Sequence, residues 1–145
     1  ASGPSLAAAL DEGVFLVKPS LRELRELTGR SLELPSEWNA AARELGAQGR
    51  AALVALSLGE QGALLATEEG VWSATALPVK VAGTVGAGDS LLAAVVWALE
   101  AGMSPGEVLA AGVAAGSAAA EGGGADQVGR DAMLARMPQV AVVRV

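Results

Sequence analysis

Thr84-Val85-Gly86-Ala87-Gly88-Asp89 is the stretch of this 145-residue chain whose residue types and spacing best suit chemistry. Two glycines flank a small residue, a carboxylate follows at once, and an apolar run with helical spacing (Leu91, Leu92, Ala94, Val95, Leu99) comes next. A helix start leaves N–H groups unpaired and carries partial positive charge. Gly86 and Gly88 let the backbone approach a ligand closely, and Ala87 keeps the wall small. The turn reads as a nest for a phosphoryl group and the charge it develops during transfer. Asp89, in the first turn of the helix, is placed to take the proton of an attacking hydroxyl. A second reading fits the same residues: aspartate near a helix start caps it, and glycines mark turns. Residue chemistry alone leaves both open.

Composition narrows the field. The chain has no histidine and no cysteine, which removes imidazole bases, thiolate nucleophiles, disulfides and His or Cys metal sites. Proton transfer falls to a carboxylate or a lysine. Hydrophobic residues make up 52% and charged ones 18%, enough apolar material for one packed domain. The net charge of −6 and the lack of tyrosine argue against a nucleic-acid partner, which calls for clustered Lys and Arg with stacking aromatics. The longest apolar run, Leu91 to Leu99, is too short to span a bilayer. With no signal-peptide pattern, the expectation is a cytoplasmic protein without a membrane partner.

The elements that position the glycine turn follow from periodicity and punctuation. Ser5 to Leu10 reads as part of a short helix ending near Gly13. Val14-Phe15-Leu16-Val17 reads as a buried strand stopped by Lys18-Pro19. Ser20 with Glu23 gives a capping-box pattern for a helix that turns Leu21, Leu24 and Leu27 inward and closes at Gly29. A second helix after Pro35-Ser36 carries Trp38, Ala41, Ala42 and Leu45 on one face and ends near Gly46 or Gly49. Ala52 to Leu58 is a further buried strand. Ala63–Thr67 and Val71–Ala74 form a hairpin around Glu68-Glu69-Gly70. After the glycine turn, helices are expected over Gly88–Glu100, from Pro105 to about Ala120, and over Arg130–Arg136, with Pro105 at the favoured first position. Val140–Val143 reads as the last strand. Strands alternating with helices indicate an α/β sheet with helices on both faces, as one layer system.

No Gly-Lys pair follows a glycine at P-loop spacing, and the third glycine of a dinucleotide fingerprint is missing. A NAD-type domain is therefore disfavoured. Gly83-Thr84-Val85-Gly86-Ala87-Gly88-Asp89-Ser90 resembles instead the C-terminal signature of the ribokinase-like (PfkB) carbohydrate kinases. Lys18-Pro19-Ser20-Leu21-Arg22-Glu23-Leu24 resembles that family's Lys-Pro-Asn-x-x-Glu-Leu stretch. Ser57-Leu58-Gly59-Glu60-Gln61-Gly62-Ala63 is similar to its nucleotide-binding strand end, and Ala114-Ala115-Gly116-Ser117-Ala118 to its adenine-walling helix. These matches come in the family's order and cover nearly the whole chain.

The resemblance implies a ribokinase-like three-layer αβα (Rossmann-like) sheet and phosphoryl transfer from ATP, with Mg²⁺, to a sugar or sugar-phosphate hydroxyl. It implies that Asp89 is the base and that Gly86, Ala87 and Gly88 form the anion hole. Ser57, Gly59 and Gly62 would line the nucleotide site, with Gly116 near adenine and Lys18 near the phosphates. Glu23 would organise Mg²⁺ through water. Each has a plainer alternative: a strand end for Ser57, a solvated charge for Lys18, a cap for Glu23, and close helix packing for Gly116, four residues after Gly112.

Two positions depart from the pattern. Ser20 stands where the family has Asn, and Gly83 where many sugar kinases have an acidic residue. The form of the signature resembles the phosphosugar branch, which includes 1-phosphofructokinase and tagatose-6-phosphate kinase, and implies a fructose-1-phosphate-like or tagatose-6-phosphate-like acceptor. Family members are about twice this length. Residues 1–145 are therefore expected to be the C-terminal nucleotide-binding and catalytic portion, without the N-terminal sugar-binding half and lid. Such a portion is expected to be nearly inactive alone and to form a homo-oligomer or pair with the missing half. The competing expectation is a nucleotide-binding or assembly module that keeps the fold without turnover.

Overall fold

The structure, a computed structural model, describes residues 14–17, 21–47, 51–58, 62–67, 69–77, 87–121 and 130–145. The elements in order are β1 (Val14–Val17), α1 (Leu21–Thr28), α2 (Pro35–Ala47), β2 (Ala51–Ser57), β3 (Ala63–Thr67) and β4 (Gly70–Ala74). They continue with α3 (Ala87–Glu100), α4 (Pro105–Glu121), α5 (Arg130–Arg136), a 3₁₀ turn (Met137–Gln139) and β5 (Val142–Arg144). The expected helix at Ser5 to Leu10 lies outside the described residues. The strands form one five-stranded sheet in the order β1-β2-β3-β4-β5. The sheet is mixed: β1 runs parallel to β2, with Val14 opposite Ala51, and β4 runs antiparallel to β5, with Trp72 opposite Arg144.

The chain divides into two compact units, and the division passes through the β3–β4 hairpin. The first unit holds β1, α1, α2, β2 and most of the hairpin. Leu24 of α1, Trp38, Ala41 and Ala42 of α2, and Val54 and Leu56 of β2 share its core, with Leu21 and Leu27 partly buried against it. Fully burying side chains such as Leu24 and Leu56 stabilises by about 2 kcal/mol each. Leu53 and Ala55, which alternate with Val54 and Leu56, are buried as well, as expected of a strand covered on both faces.

α1 ends at Thr28; the N–H of Gly29 bonds to the Arg25 carbonyl at 2.9 Å, and its φ of 68° turns the following chain out of the helix. The connection to α2 carries a residue that sequence reading passes over. Leu32 is fully buried and sits at φ 48°, a left-handed conformation rare for a leucine. Its carbonyl accepts hydrogen bonds from the indole N–H of Trp38 and from Arg25 Nη2 (3.3 Å), while Arg25 Nε donates to the carbonyl of Ser31 (2.6 Å). These bonds and the burial of the side chain hold the conformation. α2 starts with Pro35 at its first position, and the Glu37 carboxylate accepts the N–H of Leu34 at 3.2 Å.

The second unit is helical, with the short antiparallel pairing of β4 and β5. α4 is its centre: Val108 to Ala115, Ser117 and Ala119 are all buried, the mark of a helix covered nearly all round. α3, α5 and β5 pack against it. The guanidinium of Arg130 lies 5.1 Å from the Trp97 ring centre, and Arg136 pairs with Glu121 at 3.1 Å, tying α5 to α3 and α4.

The final strand departs from expectation. It was expected over Val140–Val143 and lies at Val142–Arg144. Residues 137–139 close a 3₁₀ turn, and the N–H of Val140 bonds to the Met137 carbonyl at 3.1 Å. That N–H ends the turn, and Val140 serves as a buried plug ahead of the strand.

Candidate active site

α3 is 14 residues long and opens at Ala87, so Ala87, Gly88 and Asp89 form the start of its first turn. Thr84, Val85 and Gly86 lie outside the described residues. Leu91, Ala94, Val95 and Ala98 are buried, at i, i+3, i+4 and i+7, and fix which way the helix is rolled. The opposite face carries Asp89, Ala93, Val96 and Glu100, all exposed. Asp89 thus stands at the amino end of the solvent face, with Gly88 and Ser90 half-buried beside it. A carboxylate there is favoured by the helix dipole, and the nearby backbone N–H groups favour a second anion.

The far end of α3 is locked. The N–H of Met103 bonds to the Ala98 carbonyl (3.1 Å) and that of Gly102 to the Leu99 carbonyl (3.1 Å), with Gly102 at φ 76°, a Schellman ending. α4 starts at once. Ser104 donates to the Glu107 carboxylate through both its N–H (3.2 Å) and its hydroxyl (2.8 Å), with Pro105 between them. These bonds, the hydroxyl's first, hold the Glu107 carboxyl below its ordinary value of 4.5.

So short a connection makes α3 and α4 an antiparallel hairpin. They meet closely at Gly112, where an added β-carbon would lie 3.0 Å from Val95 Cγ2 and 3.3 Å from Leu91 Cγ. The antiparallel course puts Gly116, one turn on and half-buried, toward the start of α3. Of the three glycines in this helix, Gly112 is the one whose added β-carbon meets Leu91 and Val95 of α3, whereas that of Gly106 meets Trp72 and Val142.

Gly62 has a structural duty of its own. It sits at φ 100°, and a β-carbon there would fall 1.9 Å from the carbonyl oxygen of Ala74. The chain entering β3 passes directly over the end of β4 at a distance only glycine permits. Gly62, Ala87, Gly88, Asp89 and Gly116 belong to the second unit, and Ser57 and Glu23 to the first. Ser57 is the half-buried last residue of β2. Glu23 is a half-buried residue of the first turn of α1, with its Oε2 shielded from solvent. Lys18, Gly59 and Ser20 lie outside the described residues. The Arg130–Trp97 and Arg25–Leu32 contacts were not singled out from sequence. Arg130 and Trp97 lie far apart along the chain, and the Leu32 conformation leaves no mark in residue type.

Among the described residues, no three acidic side chains come together as a metal cage. Magnesium at this site would depend on waters and donor phosphates for most of its ligands, as it commonly does. Among the described residues, no helix is long and apolar enough to cross a membrane.

Comparison with known proteins places this arrangement. The model of the pfkB family carbohydrate kinases matches residues 2–131. The chain is 44% identical over 119 residues to the ATP-dependent 6-phosphofructokinase isozyme 2 of Escherichia coli (strain K12), covering 81% of this chain and 38% of that protein. It is 42% identical over 111 residues to the 1-phosphofructokinase of Haloferax volcanii, covering 77% of this chain and 36% of the relative. A crystal structure of phosphofructokinase-2 from Escherichia coli in complex with potassium superimposes with a TM-score of 0.89 at 40% identity, covering 95% of this chain and 45% of that one. The chain thus spans about a third of the length of these curated relatives. Its fold is of the ribokinase-like αβα class. With the signature turn, the exposed Asp89 and the family match all falling on the same residues, the chain belongs to the pfkB family of carbohydrate kinases.

Proposed function

We propose that this chain carries the phosphoryl-transfer residues of an ATP-dependent kinase acting on a hydroxyl of a fructose-type sugar phosphate. The observation that carries the reading is Asp89, exposed in the first turn of α3 beside Gly88, within the signature turn of a pfkB family member. The similarity to a 6-phosphofructokinase and a 1-phosphofructokinase supports a phosphosugar acceptor.

In this reading the acceptor hydroxyl oxygen bonds to the γ-phosphorus of ATP as the bond from that phosphorus to the β,γ-bridging oxygen breaks. ADP leaves with the electron pair, and the hydroxyl proton passes to Asp89. The backbone N–H groups of Gly86, Ala87 and Gly88 face the charge on the transferring group. Ser57, Gly59, Gly62 and Gly116 border the nucleotide, and Lys18 lies by its phosphates. Glu23 organises Mg²⁺ through water, and the ion when bound neutralises phosphate charge.

Transfer gains heavily from holding both reactants. This reading assigns most acceptor contacts to the rest of a protein of the relatives' length, so residues 1–145 alone turn over poorly. The protein acts in the cytoplasm and self-associates or pairs with its acceptor-binding portion; light scattering at micromolar concentration checks this.

The test compares wild type and Asp89→Asn, with the acceptor-binding portion supplied, for ATP binding by calorimetry and for phosphorylation of fructose-1-phosphate, fructose-6-phosphate and tagatose-6-phosphate. The expected result is equal ATP binding and loss of phosphorylation in the variant. An Asp89→Asn protein that phosphorylates like wild type refutes the base assignment. ATP binding with no turnover in either protein establishes the alternative, a nucleotide-binding module.

A further inference from the structure

We propose that Gly112 is a positioning residue for Asp89: having no side chain, it sets how closely α4 approaches α3 and thereby where the first turn of α3 stands. The inference rests on the reading of Asp89 as the base. A β-carbon at residue 112 would lie 3.0 Å from Val95 Cγ2, 3.3 Å from Leu91 Cγ and 3.5 Å from the Leu91 carbonyl oxygen. Val95 and Leu91 are both buried, and valine in a helix is held to essentially one rotamer. With Val95 held to one rotamer and Leu91 packed in the core, in this proposal the relief is a parting of the helices by a few tenths of an ångström.

The direction of that parting follows from the connection. The α3–α4 turn is pinned by the Gly102 and Met103 bonds and by the Ser104–Glu107 cap. A hairpin held at its closed end opens at the other, and the open end of α3 carries Gly88 and Asp89. Leu91, one of the two residues pushed, lies only two positions after Asp89. Misplacement by 1 Å costs about 10²-fold in rate, so a few tenths should cost roughly three- to tenfold.

The experiment uses Gly112→Ala, Val95→Ala and the double variant. On this chain, the amide resonances of Gly88 and Asp89 are expected to shift in Gly112→Ala and to return in the double variant. With the acceptor-binding portion supplied, kcat should fall roughly three- to tenfold while KM for ATP moves less, and the double variant should recover kcat. A purely structural glycine would change the unfolding temperature without this pattern. Unmoved Gly88 and Asp89 resonances in Gly112→Ala, or a double variant that recovers neither resonances nor kcat, overturns the proposal. Where Gly112→Ala does not fold, Val95→Ala alone serves. It loosens the same contact and should shift the same two resonances, and unmoved resonances overturn the proposal. If Asp89→Asn retains full phosphorylation, the base assignment fails, while the resonances still decide whether Gly112 places that turn.

Discussion

The carbonyl oxygen of Ala74 occupies the place where a β-carbon on residue 62 would sit, 1.9 Å away. The family resemblance gave Gly62 a role in lining the nucleotide site, and the backbone of β4 gives it a second, independent constraint. Gly62→Ala is expected to destabilise the protein by about 3 kcal/mol, through strain at positive φ and the displacement of β4. Gly29→Ala is the control, since Gly29 also has positive φ (68°) but nothing within 4 Å of its added β-carbon. It should cost only about 1–2 kcal/mol. Denaturant unfolding of both variants decides: equal losses would remove the clash as the cause.

Trp38 and Arg25 share one acceptor, the carbonyl of buried Leu32. Replacing either donor leaves the other in place, so Trp38→Phe is expected to cost about 1 kcal/mol. Combining it with Arg25→Ala strips the carbonyl of both bonds, and the double variant should lose more than the sum by about 0.5 kcal/mol or more. Strict additivity in a double-mutant cycle would show that the two bonds do not support the same left-handed residue.

The Ser104–Glu107 cap gives an acid dependence with a definite sign. The folded carboxyl is held below its ordinary value of 4.5. Its contribution is present above 4.5 and is lost as pH falls through the lower folded value. Glu107→Gln removes the charged cap, so the difference in thermal midpoint between wild type and variant should shrink as pH drops below 4.5. A difference that stays constant or widens on acidification contradicts the assignment.

Asp89 is exposed, which separates its proposed chemistry from stability. Asp89→Asn should change unfolding free energy by no more than about 1 kcal/mol, the scale of a carboxylate at a helix start. In the assembled enzyme it should lower kcat by about 10²- to 10⁴-fold, the range of general-base catalysis. A large stability loss with unchanged kcat would return Asp89 to the role of a cap.

Much of the local architecture is legible without tertiary information. The closing glycine of α1, the proline starts of α2 and α4, and the succession of β3 and β4 all follow from short-range rules. Of the apolar run Leu91, Leu92, Ala94, Val95 and Leu99 read from sequence, Leu91, Ala94 and Val95 are buried, while Leu92 and Leu99 are half-buried and Ala98 completes the buried stripe. These features depend on φ preferences, missing N–H groups and helical periodicity within a few residues, and sequence states those directly. The last strand was less legible, since a valine-rich run carries no sign that Val140 spends its N–H on the 3₁₀ turn.

The sequence by itself determined the family, the helix that presents Asp89 and the exclusion of histidine and cysteine chemistry. Tertiary structure alone decided that Gly112 meets Leu91 and Val95 of α3, why residue 62 must lack a side chain, and that Leu32 takes a left-handed conformation. The reason is distance along the chain. What a glycine makes room for, or what holds a strained leucine, is an atom on another element, and residue type does not encode where that atom will be.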